Sequence, residues 1–98
     1  MNEPVLSGAD VDAALAEQGI EWERDGDQLV TSVKLRDFAG ALAFVNEVGA
    51  AAEAANHHPD IDIRWDTVSL VLTTHSAGGL TVLDLALAAV IDRLRPLR

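Results

Sequence analysis

The spacing of apolar positions switches several times along the chain, and each switch marks an element. Val11, Ala14 and Leu15 repeat at helical spacing behind Ser7-Gly8-Ala9-Asp10, where a hydroxyl and a carboxylate three residues apart match a capping box; Gly19 ends this first helix. Ile20 to Arg24 and Gln28 to Leu35 read as strands about Asp25-Gly26-Asp27, whose Asp-Gly pair supplies the positive φ of a tight hairpin. From Asp37, the apolar residues Phe38, Leu42, Val45 and Val48 recur at steps of four and three, and an alanine-rich tail carries this helix to about Asn56. Pro59 disfavours helical geometry at His58, so the spacing predicts a stop that leaves His57 and His58 where the backbone changes direction. Ile61, Ile63 and Trp65 alternate with Asp62 and Arg64, and Val68, Leu70 and Leu72 alternate with Ser69, Val71 and Thr73. This predicts two more strands about an Asp66-Thr67 turn, the second ending near His75. Gly78-Gly79 break the chain. Thr81-Val82-Leu83-Asp84 repeats the capping-box spacing and opens a last helix with Leu83, Leu87, Val90, Ile91 and Leu94 on its apolar side, closed by Pro96.

The resulting order, helix, two strands, helix, two strands, helix, predicts an α+β domain: a four-stranded antiparallel sheet with three helices on one face. It has the look of a duplicated unit, without clear repetition at the level of residues. Four strands leave open edges, and an uncovered edge invites pairing with a second copy, so a homodimer is expected. With 98 residues, 49% of them hydrophobic, one core and a single domain over residues 1–98 are the expectation. Sixteen acidic residues against seven basic ones give a formal charge of −9, a field that repels phosphate backbones and anionic lipid headgroups; direct nucleic-acid binding is not expected. Cysteine is absent, which removes disulfides, thiolate nucleophiles and sulfur metal sites and fits a reducing cytosol. Met1-Asn2-Glu3-Pro4 lacks the basic and apolar regions of a signal peptide, and no apolar run is long enough for a bilayer; the expectation is a soluble, cytoplasmic protein without a membrane partner.

Candidate chemistry centres on three histidines, His57, His58 and His75. A metal site would draw on these and Glu53, but adjacent residues project their side chains apart and no His-x-x-x-His helical pair exists, so the spacing does not ask for a metal. Ser76 lies beside His75, yet sequence neighbours rarely form the serine-to-imidazole bond and no nucleophile-elbow pattern surrounds it. Proton transfer suits the residues better, because an imidazole can give or take a proton near neutral pH without a large environmental shift. The His57-His58 pair leaves one helix and His75 ends a strand, so both can meet at one rim of the sheet, with Asp84 in the first turn of the last helix close by. Simpler readings stand beside this one: a surface histidine pair needs no function, Asp84 can serve only as a cap, and Trp65 can fill the core.

The pattern Glu53-x-x-x-His57-His58-Pro59, followed by Trp65, His75 and Asp84 at their spacings, resembles the signature of the pterin-4a-carbinolamine dehydratases. The resemblance extends through Leu72-Thr73-Thr74-His75 and Gly78-Gly79-Leu80-Thr81-x-x-Asp84. Upstream it takes in Gly19-x-x-Trp22 and Asp37-Phe38-x-x-Ala41-x-x-Phe44, so that it runs from about residue 19 to 94. Val33 and Leu35 stand where family members often carry aromatics, and Trp65 stands where tyrosine is common; these departures alter packing and pocket shape. The resemblance implies a dehydratase that converts 4a-hydroxytetrahydropterin to quinonoid dihydropterin and water, needs neither metal nor redox cofactor, and supports tetrahydropterin recycling. It implies proton transfer by His57 and His75, and pterin binding by His58. Glu53 and Asp84 would orient imidazoles, Asp84 holding His75 or the substrate edge, while Trp22 and Trp65 are candidates for the pocket wall or for core packing. It also implies a homodimer, or a tetramer as in some relatives. The alternative that it carries is a non-catalytic binding protein on the same fold: animal members also serve as dimerisation cofactors for a homeodomain transcription factor, and an assembly factor is a related possibility.

Overall fold

A computed structural model describes residues 3–96. Met1 and Asn2, part of the stretch read for a targeting segment, and residues 97–98 lie outside the described residues. The elements follow in the order α1 (Gly8–Gln18), β1 (Glu23–Asp25), β2 (Gln28–Lys34), α2 (Phe38–Ala55), β3 (Asp60–Arg64), β4 (Thr67–Leu72), a single 3-10 turn (His75–Ala77) and α3 (Val82–Leu94). The strands form one antiparallel sheet in the order β1-β2-β4-β3, with both hairpins as expected and β2 joined to β4 at its centre. Alternation divides the sheet into two faces. Leu29 and Val33 of β2 lie beside Leu72 and Val68 of β4, and these four with Leu70 are buried under the helices. The opposite face is polar at its middle, where the hydroxyls of Ser32 and Ser69 meet at 3.0 Å across the β2–β4 pair.

Local chemistry accounts for the ends of the elements. The Ser7 hydroxyl accepts from the Asp10 N–H at 3.1 Å and Gly19 closes α1 in the left-handed region at φ 64. Asp37 caps α2 through Gly40 N–H, and Thr81 with Asp84 makes a full capping box on α3. Across α1 and β1, Arg24 donates two bonds to Asp12, at 2.8 and 3.1 Å. Those bonds hold the Asp12 carboxyl below its ordinary range. A carboxyl whose pKa is lower in the folded chain contributes to stability above its unfolded value and ceases to do so as pH falls through the lowered one.

Several boundaries differ from the expectation, each for a visible reason. β1 starts at Glu23, not Ile20, because Ile20 and Trp22 turn into the core and the Glu21 N–H donates to Asp92 Oδ2 at 2.7 Å. α2 ends where the alanine-rich tail predicts, at Ala55 with Asn56 as its cap, but the stop acts before Pro59: Asn56 takes the left-handed conformation at φ 50 and its N–H returns to the carbonyls of Ala52 and Glu53. The core face of α2 is Ala41, Phe44, Val48 and Ala52, while Phe38 and Leu42, which helped mark the helix by period, stay 49% and 42% exposed. The second hairpin turns at Trp65-Asp66, one residue earlier than Asp66-Thr67, because Arg64 pairs with Thr67. Asp66 is buried there: its carbonyl accepts from Leu35 N–H at 2.7 Å and its carboxylate from the Thr67 hydroxyl at 2.9 Å. β4 stops at Leu72, after which Thr74 bridges to Gly79 and the chain winds through the 3-10 turn that begins at His75. Among the described residues no helix is long and apolar enough to cross a membrane.

Nothing lies within 4 Å of the space a Cβ would take at Gly19, so Gly19→Ala costs backbone strain alone, about 1 kcal/mol of stability. Leu70→Ala, at the centre of the fully buried sheet face, costs 2 kcal/mol or more, roughly the range for emptied leucine sites. Urea denaturation of the two variants should rank them in that order.

Candidate active site

α2 delivers Glu53 in its last turn, and the left-handed Asn56 then swings the chain so that His57 and His58 face different carboxylates. His58 Nε2 lies 2.5 Å from Glu53 Oε2, an exposed pair. His57 Nε2 lies 2.6 Å from Asp84 Oδ1, with the His57 side chain 11% exposed and the Asp84 side chain fully buried. A buried carboxylate needs donors on both oxygens, and Asp84 has them. Its Oδ2 accepts the Thr74 hydroxyl at 2.7 Å and the Thr81 N–H at 2.9 Å.

These contacts fix the direction of every hydroxyl in the cluster. Thr74 has one hydroxyl proton and gives it to Asp84, so in its 2.8 Å contact with Thr81 Oγ1 it must accept. The Thr81 hydroxyl therefore donates to Thr74 while accepting the Leu83 N–H at 3.2 Å, which is its capping bond. With Asp84 ionised, His57 donates from Nε2, and Nδ1 is left as the nitrogen at which the ring can exchange a proton. The arrangement ties three separate segments together: the end of α2, the first turn of α3, and the residue immediately before His75.

The expected site residues thus divide. His57, Asp84 and the Thr74-His75 segment are brought to one end of the sheet, with His58 and Glu53 beside them where α2 ends and β3 begins. Asp84 both caps its helix and holds an imidazole, but that imidazole is His57, not His75. The His75 side chain is exposed at the head of the 3-10 turn and makes no side-chain hydrogen bond among the described residues. Trp22 stands apart: it is buried, and its indole N–H donates to Asp92 Oδ1 at 2.9 Å, two turns along α3 from Asp84. Trp65 is 70% exposed in the β3–β4 turn, so it neither fills the core nor lies beside the histidines of its own chain. The sequence reading passed over Thr74 as a participant; the signal for it is the demand of a buried carboxylate for donors. A groove of about 310 Å³ between α2 and α3 has His57 on its wall, with Ala51, Ala55, Leu83 and Leu87 giving it an apolar lining. Among the described residues no group of three or more His, Asp or Glu side chains is placed to hold a metal ion.

The sequence profile described as pterin 4 alpha carbinolamine dehydratase matches residues 4–94, further upstream than the motifs alone indicate. A Chloroflexus aurantiacus protein provisionally named a pterin-4-alpha-carbinolamine dehydratase is 50% identical over 91 residues, 93% of this chain and 97% of its own. A Nocardia farcinica protein with the same provisional name is 48% identical over 94 residues, 96% of this chain and 98% of its own. Among solved structures, a transcriptional coactivator/pterin dehydratase from Brucella melitensis superposes with a TM-score of 0.86 at 26% identity, covering 94% of this chain and 99% of that one. A pterin dehydratase-like protein identified as a RuBisCO assembly factor in the alpha-carboxysome shares the fold, with a TM-score of 0.63 at 22% identity over 80% of this chain and 90% of that one.

Asp84→Ala strips a partner from His57, Thr74 and Thr81 at once and should cost about 3 kcal/mol of stability. Thr74→Val removes a single donor and should cost about 1 kcal/mol. Equilibrium urea unfolding of both variants checks the order.

Proposed function

The chain belongs to the pterin 4 alpha carbinolamine dehydratase family, and from that premise we propose that it dehydrates 4a-hydroxytetrahydropterin to quinonoid dihydropterin. In this reaction the C4a hydroxyl takes a proton and leaves as water, the lone pair of the neighbouring ring nitrogen forms the new carbon–nitrogen double bond, and a ring proton passes to a base. Protons balance, so an acid and a base suffice. His57 and His75 are those groups. The buried Asp84–His57 bond carries the assignment: a carboxylate with no exposure, backed by two threonines, fixes the orientation of the ring, and the same carboxylate is bonded to the residue next to His75. His58, steadied by Glu53, binds the pterin. On this reading the protein acts in the cytoplasm as a homodimer and returns spent tetrahydropterin to use.

A second reading has one observation in its favour. α2 leaves Phe38 and Leu42 exposed on one side, a surface that a protein partner could cover, and structural neighbours include a transcriptional coactivator/pterin dehydratase and a pterin dehydratase-like RuBisCO assembly factor. In this reading the chain is a non-catalytic dimeric binding protein. Ultraviolet absorbance of the carbinolamine separates the two, because a pure binding module leaves the spontaneous rate unchanged. Under the dehydratase reading the natural chain accelerates the loss of water. His57→Ala/His75→Ala, confirmed as folded by circular dichroism, lowers that acceleration by roughly 10²-fold or more. An undiminished rate in the double variant would sink the mechanism.

A further inference from the structure

Of the three histidines, His75 has the least to hold it. Its side chain is exposed and makes no hydrogen bond among the described residues, so the backbone alone sets its place. The loop that carries it is closed at its base, where Thr74 and Gly79 exchange bonds: Thr74 N–H donates to the Gly79 carbonyl at 3.2 Å, and Gly79 N–H to the Thr74 carbonyl at 3.4 Å. Within the loop, the N–H groups of Ala77 and Gly78 both return to the Thr74 carbonyl at 3.0 Å, and Gly78 takes the left-handed conformation at φ 79. Such a closed loop moves with its base. Whatever grips the base therefore decides where His75 stands.

Two segments grip it. The Thr73 hydroxyl donates at 2.7 Å to the carbonyl of Asp27, in the turn of the first hairpin. Ahead of α1, the chain also runs across the base: the Leu6 N–H donates to the Leu80 carbonyl at 2.8 Å, and the Leu6 side chain packs against the core. Val5 lies on Gly79, where an added methyl group would stand 2.9 Å from Val5 Cγ1. That is well inside the roughly 3.5–4.0 Å of a favourable carbon contact, so the approach exists because position 79 carries no side chain. Gly78 needs glycine for its backbone angle, whereas Gly79 has no positive φ and needs it only for this contact. Val5 stays 51% exposed, so it adds little to the core and its effect falls on the loop. The far end of the segment is fixed as well. Ser7 caps α1, and the Arg24 guanidinium lies over Gly8, where a methyl would meet its Cζ at 3.0 Å, while bonding to Asp12 and to the Gly26 carbonyl. The family profile begins at residue 4, so the segment is part of the shared domain.

We infer that Val5 and Leu6 form a strap that positions His75: by clamping Gly79 and Leu80 it fixes the base of the loop and, through the loop, the imidazole. Val5, Leu6 and Gly79 are positioning residues, acting through the loop and not on the substrate. This inference deepens the dehydratase reading and rests on it for the use of His75. The effect is confined to one histidine. His57 takes its orientation from Asp84 and His58 from Glu53, and the strap bonds to neither carboxylate. Loosening the strap therefore displaces a proton-transfer group while the pterin-binding imidazole stays where it is. Reaction rates fall steeply with such displacement, by roughly 10²-fold for about 1 Å. The signature is a lower kcat with little change in KM.

Gly79→Ala tests the strap, because the backbone tolerates alanine there and the added methyl collides only with Val5. Three readouts are taken on the full chain. In Gly79→Ala the Leu6 N–H loses at least about tenfold of its protection from hydrogen exchange. The His75 ring resonances shift, and kcat for the carbinolamine falls at least about tenfold while KM stays within about twofold. Val5→Ala in the same background removes the collision and restores all three, which a general loss of stability would not allow. Leu6→Pro deletes the donor to Leu80 and leaves Gly79 untouched. It lowers kcat in the same way, is not repaired by Val5→Ala, and keeps the test decisive if Gly79→Ala does not fold. Unchanged His75 resonances in these variants overturn the strap, as does an undiminished kcat beside shifted resonances. Should the natural chain fail to accelerate dehydration while Leu6 exchange and the His75 resonances still respond to Gly79→Ala and recover with Val5→Ala, the dehydratase reading falls and the strap stands.

Discussion

A carboxylate with no access to water must be surrounded by donors or cease to be a carboxylate, and Asp84 is that group in this fold. It satisfies itself with an imidazole from the end of α2, a hydroxyl from the segment after β4 and the N–H that caps its own helix. Each donor comes from a different element, so the requirement for hydrogen bonds is also a requirement that α2, α3 and the loop of His75 meet at one place. The histidine site and the packing of the helices are in this sense one event. A structure that failed to form the site would leave a buried charge unpaired.

Periodicity and caps made the element order legible, since Ser7, Asp37 and Thr81 announce helix starts and Asp25-Gly26 announces a turn. The same signals could not tell which side of α2 faces inward, because its buried stripe mixes Phe44 and Val48 with alanines while Phe38 and Leu42 satisfy the same period facing out. The alanine-rich tail marks the end of α2 near Asn56, but the stop signal that stands out in the sequence is Pro59, whereas Asn56 acts first, its short side chain making the left-handed region accessible. At the site, spacing placed the histidines and Asp84 together, but the choice of His57 over His75 as the partner of Asp84 depends on a three-dimensional approach across 27 residues, which local pattern does not encode. Trp22 and Trp65 show the same boundary from two sides: both are aromatic and both sit in matching motifs, yet one is sealed in the core by Asp92 and the other stands in solvent.

The two hairpins give further weight to the contrast. Their turns share a positive φ at the first central position, met by Gly26 in one and by Trp65 in the other. Glycine meets that demand without steric penalty, whereas a tryptophan there carries a backbone cost on the order of 1 kcal/mol. The sheet is asymmetric in the same way, with one edge short and charged and the other longer and apolar on one side.

α3 is anchored by carboxylates near both of its ends. Asp84 holds the first turn to the histidine end, while Asp92 receives the Glu21 N–H, the Trp22 indole and the Arg95 guanidinium, the last at 2.9 Å. The interval between those two aspartates behaves as a ruler. Inserting or deleting one residue inside it would rotate one anchor by about 100° relative to the other and release either the ties at the histidine end or the tryptophan clamp. Loops elsewhere in such a domain can lengthen at little cost, but this helical segment has a length that the rest of the molecule has already measured.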